Sequence, residues 1–149
     1  MKTTAFAVVT IEGTVESAEA ASVTIPTADG EITVLPEHTP LVSVLIPGVL
    51  TVRTSDSGNQ GEKHVAVSGG FVQVAADSVT ILADTAERAD DIDVRRAEAA
   101  RKRAADAMAG KREQAELVDA SAELQKHLAR LRAAELVKHR RPPDRSRQP

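Results

Sequence analysis

Between Phe71 and Arg141 the chain contains one Gly, at position 110, and no Pro, whereas the first 70 residues hold seven of its eight Gly and four of its seven Pro. Both residues end regular helices and mark turns. A chain so divided reads as two architectures in series. In the first 85 residues, apolar or β-branched runs fall at 5–11, 21–25, 32–35, 41–46, 49–53, 64–67, 71–75 and 79–83. Turn residues separate them, such as Ala28-Asp29-Gly30, Pro36 to Pro40, Pro47-Gly48 and Ser68-Gly69-Gly70. Val72/Val74 and Val79/Ile81 alternate with the period of two that buries one face of a strand. Many short strands at this spacing predict a sandwich or flattened barrel. Asp56 to Gly61 reads as a hairpin tip, and Gly69-Gly70 as a tight turn that needs open backbone angles.

The second half reads as helix. Asp90 or Asp91 is the expected N-cap, with Asp93 in the first turn, where the helix dipole favours negative charge. A first helix is expected over about 92–109, with Ala97, Ala100, Ala104, Ala107 and Met108 as its inward stripe. Gly110 closes it, and a connector is expected to about Asp119. Leu117, Leu124 and Leu131 then fall seven apart, with Leu128 between, as in a short coiled-coil seam. An Ala face against a Leu face predicts a thin antiparallel pair. Leucines at roughly 1.5–3 kcal/mol each when buried leave such a pair marginal, so a hairpin that opens or re-docks is the expectation. His139 to Pro143 breaks the helix, and the polar Arg/Pro tail is expected to be disordered.

Composition narrows the function. With 1% aromatic residues, two Phe and neither Trp nor Tyr, the chain has little with which to stack on bases, which argues against single-stranded nucleic-acid binding. The absence of Cys excludes disulfides and thiolate sites. Ala5 to Val9 is too short for the apolar core of a secretory signal, and no run approaches the ~18–20 residues of a membrane span. Residues 1–85 carry 3 basic and 10 acidic side chains, and residues 86–149 carry 16 and 12, so a half of net −7 precedes one of net +4. Halves of opposite charge suggest different partners.

No constellation supports catalysis. There is no phosphate-cradling Gly-rich loop and no nucleophile elbow, and His38, His64, His127 and His139 show no metal-ligand spacing. The start of the first helix gathers Glu87, Asp93, Arg96 and Arg103, with the two arginines seven apart on one face. Arginines grip phosphate oxygens and a carboxylate accepts from a base or sugar. Helix capping with exposed ion pairs explains the same residues, and on the residues alone is the favoured reading.

One ordered series of motifs spans residues 3 to about 138: Gly30-Glu31, Pro36, His38, Pro40-Leu41, Pro47 to Leu50, Ser68 to Phe71, Val79 to Arg88, Ile92 to Ala97, Ala122-Glu123-Leu124 and Leu131 to Leu136. The series resembles the ε subunit of bacterial F-type ATP synthases. That resemblance implies an α+β protein, a ten-stranded β-sandwich followed by an antiparallel two-helix hairpin. Its expected divisions are 1–85 for the sandwich, 86–141 for the hairpin and 142–149 for the tail. It implies a non-catalytic central-stalk subunit that couples proton translocation to ATP synthesis and inhibits hydrolysis through the hairpin. The implied partners are the γ subunit, the c-ring and, with the hairpin extended, the β subunit of the catalytic head. The implied location is the cytoplasmic face of the bacterial inner membrane, held there only through the complex.

By the same resemblance Glu31 and His38 map onto c-ring contacts. Ile92-Asp93-Val94-Arg95-Arg96-Ala97 fits the family's ATP-binding motif, with further ligands at Glu87, Arg103 and Arg130, so regulatory ATP is implied and no cofactor is required. Lys126, Arg130 and Arg132 map onto the inhibitory helix. Thr33 and Glu37 depart from the pattern where the family usually has glycine, so a positive φ is expected to be harder to reach beside His38. The alternative outside this family is a free-standing adaptor whose basic tail binds nucleic acid or acidic lipid.

Overall fold

The computed structural model describes residues 2–55, 61–110 and 114–138, without the side chains of 110 and 114–117. The expected hairpin tip at 56–60 and the tail from 139 onward lie outside these residues. Nine strands are described: β1 (Thr4–Thr10), β2 (Gly13–Thr27), β3 (Gly30–Val34), β4 (Leu41–Leu45), β5 (Gly48–Thr54), β6 (Glu62–Val67), β7 (Gly70–Val74), β8 (Ser78–Ala83) and β9 (Ala86–Arg88). A 3-10 turn at Ala89–Asp91 leads to α1 (Val94–Gly110) and α2 (Gln114–Lys138).

The strands close into a flattened barrel because β2 is long enough to serve both layers. Its first half pairs antiparallel with β1, Thr4 facing Ala20, and its second half pairs with β3 and β5. One layer runs β1-β8-β7-β4, with β1 and β8 parallel; the other runs β3-β2-β5-β6-β9. A single pair, Thr27 with Leu45, joins the layers at the far corner. Alternate side chains turn inward, so Phe6, Val8, Val23, Ile25, Leu50 and Ile81 fill a core without Trp or Tyr. Fully burying one such side chain stabilises by roughly 1.5–3 kcal/mol, and this core is where the fold's apolar burial is concentrated.

Two segments differ from the expected strand pattern. Glu16 to Ala20 and Ala86 to Arg88 are strand, although Ala and Glu have low strand preference. Pairing with β1 and β6 overrides that preference, and so does a buried charge. The Glu16 carboxylate is held by Lys63 at 2.8 Å and Arg88 at 3.3 Å, tying β2, β6 and β9 together. The start of α1 also differs. Ile92 is buried, which bends the chain through the 3-10 turn, and Asp93 rather than Asp90 or Asp91 caps α1, accepting from the Arg96 N–H at 3.2 Å. The expected connector to Asp119 is helix from Gln114, as its good helix formers and lack of Gly or Pro favour.

Glu37 stands at φ 64, in the left-handed region, despite its Cβ. Its N–H donates to the Ala76 carbonyl at 3.0 Å and its carboxylate takes Lys2 Nζ at 2.7 Å, contacts that offset the roughly 1–2 kcal/mol cost of that conformation. The loop beside His38 therefore reaches the conformation that the missing glycine put in question.

Gly69 and Gly70 stand at φ 136 and 127, as their turn requires. A Cβ on Gly70 would collide with the Leu82 carbonyl of the paired strand. Gly70→Ala therefore combines strain with a backbone clash and is expected to lower unfolding stability by about 3 kcal/mol or more in urea titrations. A variant as stable as the parent would contradict the register of β7 on β8.

Candidate regulatory junction between the hairpin and the sandwich

The β3-β2-β5-β6-β9 layer carries short side chains on its outer face where α2 crosses. Val49 pairs with Ala66 and Ala66 with Glu87, giving a low shelf across β5, β6 and β9. Ala133 and Ala134 of α2 pack on this shelf with Ala89, Ile92 and Ala97, flanked by Leu131 and Val137. Alanine on both sides lets the helix come close, but each alanine buries little apolar area, so the docking is weak per residue.

The expected Leu face is not what α2 buries. Ala120, Ala129, Ala133 and Ala134 are buried, Leu124 and Leu131 are half-buried, and Leu128 is 46% exposed; Leu117's side chain is not described. On α1, Ala97 is buried while Ala107 is exposed. The reason is geometric: α2 packs against both α1 and the sheet, and the alanines are the residues it turns into those two contacts.

An ion pair crosses the junction. Arg130 donates to the Glu87 carboxylate through Nε at 2.6 Å and Nη2 at 3.2 Å, a two-pronged contact that is part-buried. A charge-assisted fork of this kind is directional as well as strong. Beside it, a cavity of about 240 Å³ is lined by Ala66, Val67, Thr85, Ala86, Glu87, Lys126, His127 and Arg130. A second hollow of about 440 Å³ between the helices includes Ala100, Arg103, Asp119, Glu123 and His127. His127 borders both. Burial holds its pKa below 6.5; Glu123 opposes this, and Arg130, Lys126 and Arg103 reinforce it.

Of the expected ATP-binding residues, the fold joins Glu87 to Arg130 and sets Arg103 on the other side of His127. Asp93 is engaged in capping, Ala97 is buried packing, and Arg96 is exposed near the start of α1. Among the described residues no hydrogen bond joins Asp93 or Arg96 to the Glu87–Arg130 pair. Lys126 and Arg130 lie toward β9, whereas Arg132 lies over a depression that also holds Glu31, Thr51 and His64. Glu31 is the second residue of β3 and is exposed; His38 follows that strand's other end, its Nδ1 2.7 Å from the Thr39 carbonyl. Among the described residues no cluster suits a metal.

The opposite layer presents an apolar row. Val44 pairs with Phe71 and Phe71 with Leu82, all exposed, Phe71 by 56%, and Val42 next to them is 72% exposed. The sequence reading missed His127 and Glu16 as structural actors. His127 stands four residues after Glu123 among alanines that turn out to be buried, which is the signal it offered.

Residues 3–89 match the family described as ATP synthase, Delta/Epsilon chain, beta-sandwich domain, and residues 90–135 its long alpha-helix domain. The ATP synthase epsilon chain of Desulforamulus reducens is 46% identical over 136 residues, covering 90% of this chain and 98% of that one. That of Moorella thermoacetica is 45% identical, covering 85% and 92%. A chain of the Euglena gracilis mitochondrial ATP synthase has the same fold at TM-score 0.74 and 23% identity, covering 91% of this chain and 82% of that one. The chain therefore belongs to the delta/epsilon family of ATP synthase subunits, as an epsilon-type, non-catalytic subunit.

Proposed function

We propose that this subunit couples the proton-driven rotor to ATP synthesis through its sandwich and brakes ATP hydrolysis through its hairpin. The observation that carries the reading is the docking of α2 by an alanine layer and one Glu87–Arg130 fork. An element held so lightly detaches at small cost. Released, α2 presents Lys126, Arg130 and Arg132 to an acidic segment of the β subunit, an attraction that weakens with salt. The apolar row at Val42, Val44, Phe71 and Leu82 suits a γ subunit, and solved complexes of the central stalk and c-ring contain chains of this fold. Glu31 and His38 contact the polar loops of the c-ring. The subunit lies at the cytoplasmic face of the inner membrane through these partners, and none of the helices described is long and apolar enough to cross a membrane.

ATP fits the same scheme as a ligand that favours the docked hairpin. Bound by Arg103 on α1 and by Glu87 and Arg130 at the junction, with Asp93 and Arg96 at the helix start, it would link elements that otherwise hold one another weakly. A ligand shifts the equilibrium only by its preference for one state.

Reconstitution tests the assignment. In the assembled complex, deletion of the residues after Gly110 is expected to raise ATP hydrolysis and leave synthesis largely intact, and Phe71→Glu, at an already exposed site, is expected to abolish co-purification with γ. Unchanged hydrolysis would remove the brake, and retained γ binding would remove the docking row. For the nucleotide, calorimetry on the full chain is expected to show saturable ATP binding that Arg103→Ala weakens about tenfold or more. Absence of binding at millimolar ATP would return these residues to capping and surface charge.

A further inference from the structure

His127 sits where the two hollows of the junction meet. Among the described residues it is the one group bordering both hollows, and 14% of its side chain is exposed. Among the described residues its buried Nδ1 has no hydrogen-bond partner, while Nε2 lies 3.6 Å from the Glu123 carboxylate. We propose that His127 is a proton-operated latch: neutral, it lets α2 lie against the sheet and α1, and protonated, it loosens the hairpin.

The surrounding charges decide the sign. From α1 the ring faces Arg103; along α2 it meets Asp119, Glu123, Lys126 and Arg130; from β9 comes Glu87; β6 offers only Ala66 and Val67. Glu87 is engaged with Arg130, which leaves Asp119 and Glu123 as the carboxylates open to an imidazolium. Desolvation in the docked state is the largest influence and disfavours the charged ring; Glu123 counters it, and the three cations then add to it. The docked pKa therefore lies below the free value of 6.5, so the undocked hairpin takes up the proton more readily. Docking is fully favourable above 6.5 and weakens as the pH falls below it. The sandwich core has no part in this, since His127 does not enter it.

This inference stands on the docked geometry and not on the brake. It is tested by hydrogen exchange of the α2 amides at 118–138 in the full chain from about pH 8 to about pH 5, corrected for intrinsic exchange. The parent is expected to lose protection as the pH falls through 6.5, and His127→Gln to keep a flat profile. Equal acid loss in His127→Gln, which would assign the effect to another group such as His64, overturns the latch, as does a flat parent profile. Should His127→Gln fail to dock even at about pH 8, Glu123→Gln decides. Without the carboxylate that favours the imidazolium, docking is expected to lose more protection in acid than the parent, and an identical profile overturns the proposal.

Discussion

A helix faced with alanine can lie close to a sheet, yet it removes little apolar surface from water when it does. That constraint governs this molecule. The sandwich is closed by Val, Ile and Leu buried on both inner faces, whereas the hairpin adheres through a smaller cluster in which Ala133 and Ala134, with Ala97, Ile92, Leu131 and Val137 beside them, meet Val49 and Ala66. The two parts therefore differ in how firmly each is held, although one chain makes both. The Glu87–Arg130 fork supplies direction where apolar burial supplies little energy, and so fixes where α2 sits.

The pivot follows from the same arrangement. Arg88 is bound to Glu16, so β9 is anchored to the sandwich, while α1 begins only after the 3-10 turn. Only the few residues between those points join the sheet to α1, and Glu87 sits on the sheet side of that join as the partner of Arg130. The sandwich meanwhile keeps its other outer face, with Phe71 and Leu82, clear of the hairpin. The two outer faces therefore differ, one bearing an exposed apolar row and the other covered by a helix.

Much of this was legible in the sequence. The shift from turn-punctuated alternation to a Gly- and Pro-poor stretch announced two architectures, although β7 to β9 still lie at or within that stretch, and Gly69-Gly70 announced a turn that the backbone angles require. What the residues hid depended on three-dimensional neighbours. Glu16 to Ala20 has the composition of a helix and became strand because β1 and the Lys63–Arg88 pair hold it there. The heptad of leucines suggested the buried seam, but α2 packs on the sheet as well as on α1, and in that position it turns Ala129, Ala133 and Ala134 inward and leaves Leu128 exposed. Asp93 became the cap because burying Ile92 consumed the residues before it. His127 looked like an isolated histidine, since its importance comes from a crossing of α1, α2 and β6 that no local spacing encodes.

The central claim is that the hairpin leaves the sandwich without unfolding it, and thiol labelling tests this directly because the chain has no cysteine of its own. Ala133 under α2 and Ala20 in the sandwich are both fully buried, so Ala133→Cys and Ala20→Cys are matched single reporters. Under native conditions Cys at 133 should react much faster than Cys at 20, at a rate that denaturant hardly changes, as expected for a small local opening. Equal rates at the two positions, rising together with denaturant, would show that the hairpin opens only when the whole chain unfolds, and would contradict the account.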